Sequence, residues 1–154
     1  MVRPRPTLAL FLGAGLLVLL CIASSRIFWG NDGYLEGRGG KGKVLVWSDL
    51  PWGTVSHDRS IKKKVILENG LVPHLTGFHR SVFKHGQVAP AHSHGDMHEV
   101  FYVEEGSGTF IINGKRVPVV PKTTVYLAPG DIHEVVNDSP DGKDMVLVYF
   151  GVVP

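Results

Sequence analysis

From Val44 onward the chain is a succession of short β-prone runs, each closed by a turn signal, with nothing longer than a turn or two that carries a helical period. The runs are Val44–Trp47, Lys64–Leu67, Leu75–Phe83, Glu99–Val103, Thr109–Ile112, Val117–Val120, Val125–Leu127, His133–Val136 and Met145–Phe150. Between two of them, Asn113-Gly114 suits the positive φ angles of a type I′ hairpin. Pro121, Pro129-Gly130 and Ser139-Pro-Asp-Gly142 punctuate the others. Strands this short and evenly spaced predict an all-β fold, an antiparallel sandwich or barrel of which the jelly roll is one solution. Residues 43–154 suffice for one such unit and are too few for two domains.

The preceding segment is different material. Residues 8–23 form an uncharged apolar run behind Arg3 and Arg5, and its length falls between a secretory core of about 7 to 15 residues and a bilayer span of roughly 17 to 25. Cys21 and Ala23 offer the small residues of a cleavage site after Ala23, whereas Ile27-Phe28-Trp29 resumes apolar character as an interfacial anchor does. Signal peptide and retained anchor over residues 1–29 both stay open. Either one expects a hydrophobic helix there and places the protein in the secretory pathway, exported or held by a single span with membrane association through residues 8–23. A plastid or other organelle is left open as well. Six of the thirteen residues Gly30–Gly42 are glycine, which predicts a flexible linker over 30–42 and a folded domain over 43–154.

Charge and cysteine usage exclude several classes. Arg3, Arg5 and Arg26 lie outside the expected domain and account for the formal charge of +2, so no nucleic-acid partner is expected. Cys21 is the only cysteine, which leaves the domain without a disulfide, a thiol ligand or a thiol nucleophile. The sequon Asn137-Asp138-Ser139 is followed by Pro140, a poor context for glycosylation.

What remains is a cluster. His92, His94, His98 and Glu99 fall within eight residues between Gly86 and Gly106, and His133 follows in Pro129-Gly130-Asp131-Ile132-His133. Imidazoles suit zinc, copper, iron or nickel, and one carboxylate shifts the set towards iron or manganese. Side chains at i and i+2 of a strand share a face, so His92 and His94 project together, and Glu99 joins them only if the chain breaks at Gly95-Asp96. Glu99, Phe101 and Val103 share one parity, suited to an interior; His98, Val100 and Tyr102 share the other.

These motifs resemble those of small single-domain cupins, the RmlC-like jelly-roll family. Gly86, five residues, His92, one residue, His94, four residues, Glu99, six residues and Gly106 fill the first cupin motif without a gap. Pro129-Gly130, two residues, His133, three residues and Asn137 fill the core of the second, with Thr123 standing where the reading places its turn glycine. The resemblance covers most of the chain from about Val44. It implies a cupin-type jelly-roll barrel in which His92, His94, Glu99 and His133 bind one divalent metal ion, Fe, Mn, Zn or Ni, with positions left for water or substrate. It also implies a homodimer. Gln87, Tyr102, Asn137 and Tyr149 are candidates to orient the imidazoles.

Two functions fit. One is a metal-dependent enzyme on a small organic molecule, a dioxygenase, lyase or isomerase, with its catalytic residues unassigned. The other is a non-catalytic cupin that binds or senses a small ligand and uses its metal for structure; fold alone does not choose. Outside the cluster, His57, His74, His79 and His85 read as surface or strand residues, His79 having the best claim to a cavity. Lys62-Lys63-Lys64 reads as a solvated face.

Overall fold

A computed structural model describes residues 34–37 and 40–154. The apolar segment expected as signal peptide or anchor, residues 1–29, lies outside them, and among the described residues no helix is long and apolar enough to cross a membrane. Within the stretch expected as a linker, β1 (Tyr34–Gly37) and β2 (Gly40–Lys43) pair antiparallel, with Gly37 opposite Gly40.

The main folded unit begins at Val46. Its strands are β3 (Gly53–Thr54), β4 (Lys62–Leu67), β5 (Leu75–Phe83), β6 (Val88–His92), β7 (His98–Glu105), β8 (Gly108–Ile112), β9 (Lys115–Val119), β10 (Thr124–Leu127), β11 (His133–Val136) and β12 (Met145–Val152). Strands β10, β7, β12, β5, β4 and β3 form one antiparallel sheet in that order; β6, β11, β8 and β9 form a second. β5 and β11 match the runs predicted for them, and Asn113 and Gly114 take φ values of 50° and 81° between β8 and β9, as the hairpin signal requires.

Two expectations fail for physical reasons. Val44–Trp47 is not a strand: Trp47–Asp49 forms a 3-10 turn, and the Lys64 ammonium donates to the carbonyls of Trp47 and Ser48 at 2.6 and 3.0 Å. Conversely, β6 was hidden by Pro90, which lacks a ladder donor; β6 stands at a sheet edge, where a proline is tolerated.

Apolar faces of both sheets meet between them. Phe83, Phe101, Val103, Val125, Leu127 and Leu147 from the larger sheet pack with Ala89, Phe110, Val119 and Val135 from the smaller. β7 shows the predicted alternation: Glu99, Phe101 and Val103 are buried, while His98 and Tyr102 are exposed. One face of β7 therefore carries a carboxylate into an apolar interior.

Asn137 ties the two sequence motifs together. Fully buried, its side-chain amide donates to the carbonyls of Phe83 and Lys143 at 2.8 and 2.9 Å, and its side-chain oxygen accepts from Ser139 N at 3.1 Å. Its backbone carbonyl accepts from Gly86 N at 2.8 Å. An amide so engaged in the folded protein presents no acceptor site for a glycan. The turn before β10 has its left-handed residue at Lys122, φ 74°, so the position that a turn glycine would fill is one earlier than Thr123.

Gly86 and Gly106, the ends of the first motif, both have positive φ, 82° and 70°. They differ in surroundings. A Cβ on Gly86 meets nothing within 4 Å, whereas one on Gly106 runs into the Asp144 carbonyl oxygen and Met145 Cα. Gly86→Ala should therefore lose about 1 kcal/mol for its left-handed backbone alone, and Gly106→Ala about 3 kcal/mol or more. Urea denaturation of both variants checks this; equal losses would refute the close approach at Gly106.

Candidate metal centre

The register places the candidate ligands. His133 opens β11 and is the cross-strand partner of His92 at the end of β6, so the two imidazoles meet side by side, ring centroids 4.2 Å apart. Beyond His92 the chain leaves the sheet and bends at Gly95-Asp96, as the parity argument required, before β7 brings Glu99 in from the other sheet. The His94 carbonyl accepts from Gly130 N at 2.8 Å, which fastens this loop to the one that precedes His133.

Nε2 of His133 lies 3.3 Å and Nε2 of His94 3.7 Å from the same Glu99 oxygen. His94, Glu99 and His133 form one cluster of donor atoms, all within 4.8 Å of one another; His92 belongs with His94 and His57 in a second, overlapping cluster. His57 was missed by sequence reasoning. Its ring packs at a tilt against His92, 3.9 Å between ring centroids, and no spacing rule links it to a motif 35 residues away.

Backbone carbonyls set two of the tautomers. Nδ1 of His92 lies 2.7 Å from the Pro90 carbonyl, and Nδ1 of His133 lies 3.3 Å from that of Asp131. A carbonyl can only accept, so each Nδ1 carries the proton and each Nε2 keeps its lone pair for a ligand. Asp131 itself is braced. Its carboxylate accepts from Asn113 Nδ2 at 2.8 Å and from Ala128 N at 2.9 Å, which connects the β8–β9 hairpin to the loop that aims His133.

Electrostatically the cluster is poised for a cation. Burial pushes the Glu99 carboxyl up to about 7, and burial, followed by the neighbouring His92, pushes His133 down to about 4. Burial first and His92 second also lower His94. Each shift expresses the cost of holding charge in a low-dielectric wall. A divalent ion removes that cost for the carboxylate and needs the imidazoles neutral. Ligand atoms about 2.1 Å from one ion lie roughly 3.0 to 3.4 Å apart at octahedral to tetrahedral angles, close to the spacing found here. On donor chemistry and spacing, His94, Glu99 and His133 fit a bound divalent metal, and His92, with its Nε2 free to ligate, lies against the His133 ring.

The cluster lines a cavity of about 160 Å³ between the two sheets. Apolar lining comes from Phe83, Phe101, Val135 and Leu147, and polar lining from Lys63, His79, Ser81 and Tyr149. Among the other expected residues, His79 does reach the cavity, packed against Tyr149 at 5.2 Å, and is pushed down to about 4 by burial and then by Lys63. His98 points outward, its Nδ1 2.8 Å from the Tyr126 hydroxyl. Gln87 bonds to Ser60 and the Lys84 backbone, and Tyr102 is exposed, so neither orients an imidazole.

The lysine run is not a solvated face. Lys64 is buried, held by the Trp47 and Ser48 carbonyls and lying 4.7 Å over the Trp52 ring, while Lys63 turns to the cavity. A strand that alternates between a covered outer face and the cavity divides three identical residues among three environments.

Residues 79–149 match the family described as Cupin domain. Among solved structures the fold is similar to a predicted oxalate decarboxylase from Thermotoga maritima, at 21% identity and TM-score 0.66 over 72% of this chain and 99% of that one. It is also similar to the polyketide cyclase RemF from Streptomyces resistomycificus, at 17% identity and TM-score 0.62 over 72% and 79%. An RmlC-like cupin from Shewanella frigidimarina gives 15% identity and TM-score 0.60 over 79% and 95%. No match was found among curated proteins. Family match and fold agree: residues 79–149 match a cupin domain, and the folded unit that contains them has the fold of small cupins.

Proposed function

We propose that this domain binds one divalent metal ion through His92, His94, Glu99 and His133 and acts as an enzyme on a small organic molecule in the adjoining cavity. The observation that carries the reading is the convergence of two imidazole Nε2 atoms on one buried Glu99 oxygen at the cavity wall. Two of the similar folds are named for enzymes, a predicted decarboxylase and a cyclase, which supports chemistry over passive binding.

A bound ion supplies Lewis acidity, an acidified water or, if iron or manganese, redox capacity. The chain supplies the rest. Phe83, Phe101 and Leu147 exclude water from the reacting end, and Tyr149 and His79 stand on the cavity wall as polar groups. Among the described residues Glu99 is the only carboxylate that lines it, so once Glu99 is a ligand, proton transfer falls to Tyr149. Burial pushes the Tyr149 hydroxyl up against an opposing hydrogen bond with Ser81, with the Glu99 charge adding to the rise, so at neutral pH it keeps its proton and donates.

Elemental analysis of purified full-length protein should find one divalent ion per chain. Glu99→Ala and His133→Ala should each lower occupancy at least tenfold with the fold retained by circular dichroism, and His98→Ala should leave it unchanged. Asp131→Ala, which frees the loop before His133, should weaken affinity by about tenfold. Full occupancy in Glu99→Ala would overturn the reading.

Proton competition gives a second test. In the metal-free protein Glu99 titrates near 7, whereas His133 does so near 4, so just below neutrality the proton that an ion must displace sits on Glu99. Affinity should fall by up to about tenfold per pH unit from pH 7 to 6, and Glu99→Gln should bind more weakly with a flatter dependence over that interval. Affinity that rises on acidification would contradict the assignment.

A further inference from the structure

Nδ1 of His79 is buried without a hydrogen-bond partner among the described residues, and Oγ of Ser81 beside it has no protein partner but the neighbouring Tyr149 hydroxyl; both residues line the cavity. Buried polar atoms are rarely left unsatisfied, because each costs the full loss of its hydration. Both belong to β5, at positions i and i+2, and so face the same way. The cross-strand partner of Ser81 on β4 is Lys63, which lines the same cavity and whose ammonium makes no ion pair or hydrogen bond among the described residues. On the other side, β12 sets Leu147 against Ser81 and Tyr149 against His79. One cation, one hydroxyl and one imidazole thus converge on a patch of cavity wall, and among the described residues neither the ammonium nor the imidazole Nδ1 has a partner.

The charge balance of the cavity indicates what they hold. Among the described residues its lining contains one lysine and a single acid, Glu99, which belongs to the candidate metal centre. With a divalent ion in place the space is net positive, and an anion is the complement. A single ammonium and a largely apolar floor favour a monoanion over a phosphate dianion. The volume, about 160 Å³, admits only a few heavy atoms beyond the charged group.

We propose that Lys63, His79 and Ser81 form a subsite for the carboxylate of a small organic acid, which is the substrate class of this cupin. Lys63 provides the charge, Ser81 donates its hydroxyl hydrogen, and His79, neutral at physiological pH, donates one ring N–H. The remainder of the acid lies against Leu147 and Phe83 and extends towards the histidine–glutamate cluster. This rests on the metal-centred reading for the reacting end of the ligand and is independent of it for the carboxylate end.

Propionate and its neutral isostere propionamide are the probes, titrated into full-length protein by calorimetry in zinc-loaded and metal-free form. Propionate should bind at least tenfold tighter than propionamide in both forms. Lys63→Met should weaken propionate at least tenfold, leave propionamide unchanged and retain one ion per chain. Ser81→Ala should weaken propionate several-fold in both forms with one ion per chain retained; a merely structural serine would leave propionate affinity unchanged. Equal binding of the two probes, or water alone at the subsite, overturns the inference. So does a Lys63→Met variant that binds propionate as the parent does, which would assign the carboxylate to the metal and leave the metal reading intact. If the parent takes up no metal, the metal reading falls, and the Lys63→Met comparison in metal-free protein still decides this one.

Discussion

A carboxylate buried in an apolar wall is the constraint around which the rest is arranged. Glu99 is 7% exposed, and the Nε2 atoms of His133 and His94 lie 3.3 and 3.7 Å from one of its oxygens. Neither imidazole is held as a cation there: His133 is pushed down to about 4 and His94 is lowered. Among the described residues the anion is therefore in contact with no cation, and burying it unpaired carries a penalty of several kcal/mol on the order expected for a desolvated ion. Retaining such a residue on the inward face of β7, between Phe101 and the cavity, is a cost that a divalent cation offsets.

The surrounding structure fixes direction more than it adds attraction. Carbonyls of Pro90 and Asp131 select the tautomers of His92 and His133 before any ligand arrives. Asp131 and Asn113 join a hairpin tip to the loop that aims His133, and Asn137 joins the end of β11 to the turn at Gly86. Ligands that come from two sheets and a loop are held in register by hydrogen bonds that touch no ligand carboxylate or Nε2. Such preorganisation keeps the cost of ordering out of the binding step.

Much of this was legible in the sequence, and the parts that were not share a cause. Strand β7 could be read residue by residue because its alternation is strictly local, and the break at Gly95-Asp96 followed from parity alone. His57 could not be found, because its place over His92 depends on how the segment before β4 crosses the cavity mouth. Lys63 and Lys64 are indistinguishable by composition; only the pairing of β4 with β5 sends one to the cavity and the other under Trp52. β6 was obscured by Pro90, which excludes a central strand and permits an edge one, and edge position is a property of the sheet. Periodicity reports which face a side chain takes, and tertiary pairing decides what lies on that face.

The central claim is that one cation joins these residues. Anomalous diffraction from crystals of the protein, collected at the absorption edge of the metal found by elemental analysis, tests it most directly. The account predicts a single peak about 2.0 to 2.3 Å from Nε2 of His92, His94 and His133 and from a Glu99 oxygen. A peak shared by His57, His92 and His94 with Glu99 left uncoordinated, or none in protein shown to carry stoichiometric metal, would contradict it.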